Sequence, residues 1–202
     1  FILDTRTGRS VGWRDDERFC HCSTFKLSLA AMALRESDAG RLDLSETLAF
    51  DRADIVGYSP VVERNLDAGR LSVMALAEAV QVMSDNAAAN LLMRRLGGPA
   101  AVTRFWREIG DRVSRLDWYE PSVNVIPPGT EWNSTTPRAM ALTLRRIALG
   151  DVLKPASRAL LRDWMAATRS GLNRIRAGMP AGWPRPPGWP DWRCAACRPA
   201  AG

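Results

Sequence analysis

The chain has 202 residues, 46% of them hydrophobic and 25% charged, with a formal net charge of +6. That length allows one sizeable core, or two lobes sharing one, and the composition is that of an ordinary globular protein. No apolar run approaches a bilayer span, and the 28 basic residues are scattered among 22 acidic ones with no basic run interleaved with aromatics, so neither a membrane nor a nucleic-acid partner is expected.

Residues 1–19 read as a hairpin: Phe1-Ile2-Leu3, a turn cluster Asp4-Thr5-Arg6-Thr7-Gly8, then Val11-Gly12-Trp13 returning. A two-stranded hairpin is marginal alone, so further strands are expected to flank it. Its first residues look like the middle of a strand, which suggests a chain beginning inside a domain. From about Thr24 a dense apolar run (Leu27, Leu29, Ala30, Ala31, Met32, Ala33, Leu34) predicts a helix buried on every face, ending near Gly40. Residues 41–71 carry short apolar bursts between turn residues, among them Tyr58-Ser59-Pro60.

Ser72 caps a predicted helix through Met83, with Leu76, Ala79, Val80 and Met83 on one face. Ser84-Asp85-Asn86 interrupts it, and Asn86 is expected to cap a helix over Ala87–Leu96 that stops at Gly97-Gly98. Pro99 starts another helix, with Val102, Phe105, Trp106 and Ile109 facing inward. Residues 110–135 lack periodicity, and so long an irregular segment inside a domain is usually functional. Thr136-Pro137 opens a helix to Gly150, and a further one is predicted over Ser157–Thr168. After Met179 the composition turns to Pro, Trp and Arg, with three tryptophans in residues 180–202, and a disordered or non-native tail is expected.

Three clusters carry chemistry. Ser23 stands three residues ahead of Lys26 at the start of the buried helix, so the two share a side of it. Only Lys26 and Lys154 are lysines; every other basic residue is arginine. A lysine can lose its proton where an arginine cannot. By itself Ser-x-x-Lys occurs by chance in about half of proteins this size. Ser84-Asp85-Asn86 is equally what a turn with a helix cap looks like, and Glu120 with Asn124 what a solvated loop supplies. The only histidine, His21, is too near Ser23 in sequence for an easy Ser-His-Asp geometry. The cysteines form Cys20-x-Cys22 and Cys194-x-x-Cys197. The first spacing is poor for tetrahedral zinc and too short for a local disulfide, so no metal or other cofactor is expected.

Taken together and in this order, these motifs resemble the class A serine β-lactamases, whose set includes Ser-x-x-Lys and Ser-Asp-Asn. The resemblance spans Phe1 to about Met179. It rests on Ser23-Thr24-Phe25-Lys26, Tyr58-Ser59-Pro60, Ser84-Asp85-Asn86, Glu120-Pro121-Ser122-Val123-Asn124 and Asn133-Ser134-Thr135-Thr136-Pro137. It implies an α/β (α+β) fold, a helical lobe over about residues 24–165 beside an antiparallel sheet lobe represented here by the 1–19 hairpin. Residues 1–179 would form the catalytic domain and 180–202 an atypical tail.

The resemblance also implies roles. Ser23 would be the nucleophile and its backbone N–H one oxyanion donor. Lys26 would be the acylation base or an electrostatic activator. Ser84 would pass a proton to the lactam nitrogen, and Asn86 would bind the substrate amide and help hold Lys26, while Asp85 braces the loop. Glu120 would activate the hydrolytic water that Asn124 positions, and Tyr58 would wall the pocket. The expected partner is a small β-lactam, the expected state a monomer, and the expected location periplasmic or secreted.

One departure stands out. The family's Lys-Thr-Gly does not occur after Met179, and a shifted reading frame near Gly182 is the simplest expectation. Impaired hydrolysis follows from it, with a penicillin-binding or D,D-peptidase-like acyl enzyme and a non-catalytic remnant as the alternatives. Some relatives that hydrolyse carbapenems bridge the cysteine at the position of Cys22 to one beyond the missing motif. Cys194 would match only by coincidence, and no such bridge is expected.

Overall fold

The computed structural model describes residues 1–169. Ten consecutive residues, Phe25 to Leu34, are buried in helix α1 (Phe25–Asp38). A helix without a polar face is stable only where neighbours cover every side. Here they are α3 (Val73–Met83), α4 (Asn86–Arg95), α5 (Pro99–Glu108), α6 (Pro137–Leu149) and α7 (Pro155–Ala167), all of which contact α1. The short α2 (Pro60–Arg64) packs on α3 and α4. Trp106 lies fully buried and donates from Nε1 to Ser28 Oγ at 2.9 Å, which satisfies the one polar group in the middle of α1.

The helix ends follow local chemistry. Gly40, just past α1, takes φ +72°, a left-handed conformation that suits glycine. The side chains of Ser72 and Thr136 accept the backbone N–H of Ala75 and Ala139, capping α3 and α6. Two expectations need correction. Asn86 is the first residue of α4 rather than its cap. Asp85 caps it, holding Ala88 N–H with Oδ1 at 2.8 Å while its Oδ2 takes Val61 and Val62 N–H. And α7 begins at Pro155, two residues before Ser157, because proline is well placed in a first helical turn.

Strands are short and pair in twos among the described residues. β1 (Ile2–Leu3) and β2 (Ser10–Val11) form the hairpin read from the sequence, with no third strand among the described residues. β3 (Phe19–Cys20) pairs with β6 (Ser134–Thr135), and β4 (Thr47–Ala49) with β5 (Arg70–Ser72), all antiparallel. Arg138 on α6 ties in the Asp15–Asp16 turn through ion pairs with both acids. The β3–β6 pair decides where the site forms, because it delivers the chain to Ser23 beside the end of the 110–135 segment. The Pro/Trp/Arg tail, with Cys194 and Cys197, lies outside the described residues.

Candidate active site

Ser23 occupies a 3-10 turn, Cys22–Thr24, that leads directly into α1. Cys22, buried and non-glycine, carries φ +45°. Such a conformation costs about 1–3 kcal/mol and persists only where the surroundings hold it. Here β3 on one side and α1 on the other do so. Three residues on, the Lys26 side chain is buried.

Lys26 Nζ is surrounded by acceptors. It donates to Asn86 Oδ1 at 2.5 Å and to Ser84 O at 2.7 Å, lies 3.3 Å from Ser84 Oγ, and is 3.3 Å from Glu120 Oε1. Ser84 reaches it because the residue ends α3 in a left-handed conformation (φ +58°, ψ +34°), which turns carbonyl and hydroxyl to the same amine. Burial pushes the Lys26 amine below the usual lysine range, opposed by the negative charges of Glu120 and Asp85. The structure thus brings Lys26, Ser84, Asn86 and Glu120 together at one point.

Glu120 hangs from the 110–135 segment, which is closed at its base. Asn133 Oδ1 accepts Asp117 and Trp118 N–H, Asp117 Oδ2 accepts Asn133 N–H, and Asn133 Nδ2 donates to Val125 O. A segment with joined ends that packs on itself is an Ω-type loop. Inside it, Asn124 Nδ2 donates to Glu120 Oε2 at 2.8 Å. Glu120 Oε1, by contrast, has no aligned hydrogen bond among the described residues, although Lys26 lies beside it. The Lys26–Glu120 contact is therefore an ion pair at short range rather than a hydrogen bond of good geometry.

Tyr58 joins through its backbone: its carbonyl accepts Asn86 N–H at 2.9 Å, while the side chain is 59% exposed. Lys26 and Glu120 are buried, Ser84, Asn86 and Asn124 are half-buried around them, and Ser23 is half-buried three residues ahead of Lys26. A buried amine and carboxylate thus lie beside polar side chains that are partly open to solvent.

Two contributors, Asn90 and Gly57, escaped the sequence reading. Asn90, on α4, clamps the Glu120 backbone from both sides: Nδ2 donates to Glu120 O and Oδ1 accepts Glu120 N–H, each at 2.9 Å. Its signal was a single amide inside the apolar run Ala87-Ala88-Ala89-Asn90-Leu91-Leu92. Gly57 has φ +54°, and a Cβ there would lie 2.9 Å from Asn86 Nδ2, so glycine permits Asn86 its place. His21 is fully buried and stacked on Trp106 at 4.7 Å. Burial pushes its imidazole down to about 3, with Asp111 the main opposing charge. It packs in the core against Trp106, in keeping with the sequence reading that it does not serve Ser23 as a base.

A buried amine and a buried carboxylate converge, and the amine follows by three residues a serine at a helix start, an arrangement that suits serine-based acyl transfer followed by attack of water. The sequence pattern of the β-lactamase enzyme family matches residues 1–196. The chain is 45% identical over 183 residues to the β-lactamase FAR-1 of Nocardia farcinica, covering 91% of this chain and 58% of that protein. A β-lactamase of Mycobacterium tuberculosis is also 45% identical, over 187 residues, covering 91% and 60%. The chain thus spans about 60% of the length of these curated relatives. Among solved structures, an ancestral class A β-lactamase superposes with a TM-score of 0.86 at 50% identity, over 89% of this chain and 69% of that one. A β-lactamase from Xanthomonas campestris gives 0.86 at 46% identity, over 89% and 67%.

Proposed function

Because this chain belongs to the class A β-lactamase family, we propose that its site opens the β-lactam ring through an acyl-enzyme on Ser23. Ser23 Oγ attacks the lactam carbonyl carbon, the C–N bond breaks, and the hydroxyl proton reaches the departing nitrogen through Lys26 and Ser84. Water then attacks the ester, Glu120 takes its proton, and the Ser23 hydroxyl is restored. The observation that carries this reading is the meeting of Lys26 Nζ with Ser84, Asn86 and Glu120 within 3.3 Å.

A charged lysine has three N–H donors and no acceptor, whereas the neutral amine has two donors and a lone pair. Lowering its basicity by burial therefore favours the form that can accept the Ser23 proton. Of the two Glu120 oxygens, Oε2 is held by Asn124 and Oε1 accepts no aligned hydrogen bond among the described residues. Oε1 is the oxygen assigned to the water. A carboxylate so placed favours a hydrolase that turns over rather than a transpeptidase that stays acylated. Asn86 Nδ2 and the Tyr58 ring would contact the substrate's side chain. The protein is read as an exported monomer that needs no cofactor.

Lys-Thr-Gly does not occur after Met179. In the family that motif binds the substrate carboxylate and lies by the second oxyanion donor. A polypeptide of these 202 residues alone should turn over slowly, since losing one donor costs about 10²–10³ in rate. The test is brief exposure to a penicillin followed by mass spectrometry. A covalent adduct on Ser23, absent from Ser23→Ala, is the expected result. No adduct on a folded protein, or one on another residue, would refute the mechanism.

A further inference from the structure

Arg18, the residue just before β3, reaches both legs of the loop that carries Glu120. Its Nη1 donates to Val113 O and to Ser134 Oγ, each at 3.1 Å, and its Nη2 pairs with Glu131 Oε2 at 2.9 Å. Val113 stands on the leg that leads to Glu120, and Glu131 and Ser134 on the leg that returns from it. Ser134 Oγ extends the connection by donating to Glu131 O. Arg18 is five residues ahead of Ser23, and the pairing of β3 with β6 starts at the next position, Phe19. One guanidinium thus joins the strand that leads to Ser23 with both legs of the segment that holds Glu120.

The side-chain chemistry suits this junction. A guanidinium has five N–H donors in a rigid plane, so two of its nitrogens can serve three acceptors from separate segments at once. The ion pair contributes least of the three, because Glu131 is 60% exposed and water screens it. The bonds to Val113 O and to the buried Ser134 are made by a charged donor, and such bonds are stronger than neutral ones. Asn133 and Asp117 join the two legs to each other. Arg18 adds a tie from the Val113 leg to the strand.

We infer that Arg18 is a positioning residue for hydrolysis of the acyl-enzyme: by holding both loop legs to the strand before Ser23, it sets where Glu120 stands relative to the ester. The inference rests on the roles proposed above for Ser23 and Glu120. Acylation draws on Lys26 in α1 and on Ser84 at the end of α3, and none of the three Arg18 bonds goes to either helix.

The test mixes benzylpenicillin with the parent chain, Arg18→Ala, Arg18→Lys and Glu131→Gln, and follows formation and decay of the Ser23 adduct by mass spectrometry. In Arg18→Ala the adduct should form at the parent's rate and persist about 10–100-fold longer, the scale expected when a reacting group is misplaced by roughly 1 Å. Arg18→Lys keeps the charge but not the fork and should recover part of the difference; Glu131→Gln should change least. Hydrogen exchange gives a readout independent of turnover. The amides of Asp117, Trp118 and Asn133, which close the loop, should exchange faster in Arg18→Ala while those of α1 keep their protection. Should Arg18→Ala not fold, Arg18→Lys carries both measurements. The inference is overturned if the loop amides are unchanged, if α1 loses protection equally, or if formation and decay of the adduct slow by the same factor. If the parent forms no adduct, the acyl-enzyme reading fails, and hydrogen exchange alone decides whether Arg18 holds the loop.

Discussion

Lys26 Nζ and Glu120 Oε1 lie 3.3 Å apart, with 2% and 1% of their side-chain surfaces exposed. Two opposite charges so far from water are each expensive without the other. A double-mutant cycle of Lys26→Met and Glu120→Gln, read by urea unfolding, should show this. Each single change should cost about 3 kcal/mol, and the double change less than the sum by about 1–3 kcal/mol. Additivity within 0.5 kcal/mol, about the scatter for independent sites, would mean that the pair carries no coupling.

Glu120→Ala should separate the two chemical steps. Acylation of Ser23 by a penicillin should continue, while release of the acyl group slows by about 10²–10⁴. Intact-protein mass spectra at increasing times would then show a persistent adduct. An adduct lifetime equal to the parent's would place the water-activating group elsewhere.

Acid should loosen the fold through His21. The unfolded chain takes up a proton there as pH falls through about 6.5, whereas the buried imidazole stays neutral down to about 3. The unfolded state therefore binds the extra proton between those values. Stability should fall by about 1.4 kcal/mol per pH unit from this group over that window. His21→Phe, which keeps a ring on Trp106, should remove that part of the slope. Identical pH profiles for the two proteins would count against it.

Asn90→Ala removes both hydrogen bonds to the Glu120 backbone and leaves a buried N–H and C=O unmatched. A cost of about 2–4 kcal/mol is expected, seen as a lower midpoint of urea unfolding. Because the carboxylate then loses its support, deacylation should slow more than acylation. Equal slowing of both would make Asn90 a stability residue only.

Much of this was legible in the chain. The apolar run after Lys26 permitted only a buried helix, and Ser72, Gly40 and Thr136 marked ends that local hydrogen bonding enforces. The clusters Ser23/Lys26, Ser84/Asn86 and Glu120/Asn124 were visible as motifs. What hid was non-local or ambiguous. Asp85 and Asn86 are adjacent and both able to cap; the choice fell to Asp85 because its carboxylate also satisfies Val61 and Val62 N–H. Asn90 looked like an interruption of an apolar face, since its partner lies 30 residues away. The β4–β5 pair comprises three residues on each side, too few to carry a period.

The two-residue pairing of β3 with β6 sets a schedule. Cys20 faces Ser134, and His21 N–H bonds to Asn133 O, so the approach to Ser23 is held by residues 114 and 112 positions later. Contacts of such long sequence separation form slowly, because loop closure precedes their reward. During synthesis Ser23 would emerge early and wait for most of the described chain before its surroundings exist. An amino-terminal fragment ending before Asn133 should therefore show helical signal but no reaction with a penicillin, and the capacity to acylate should appear only when fragments extend past Thr135 and through α6 and α7, which complete the cover of α1.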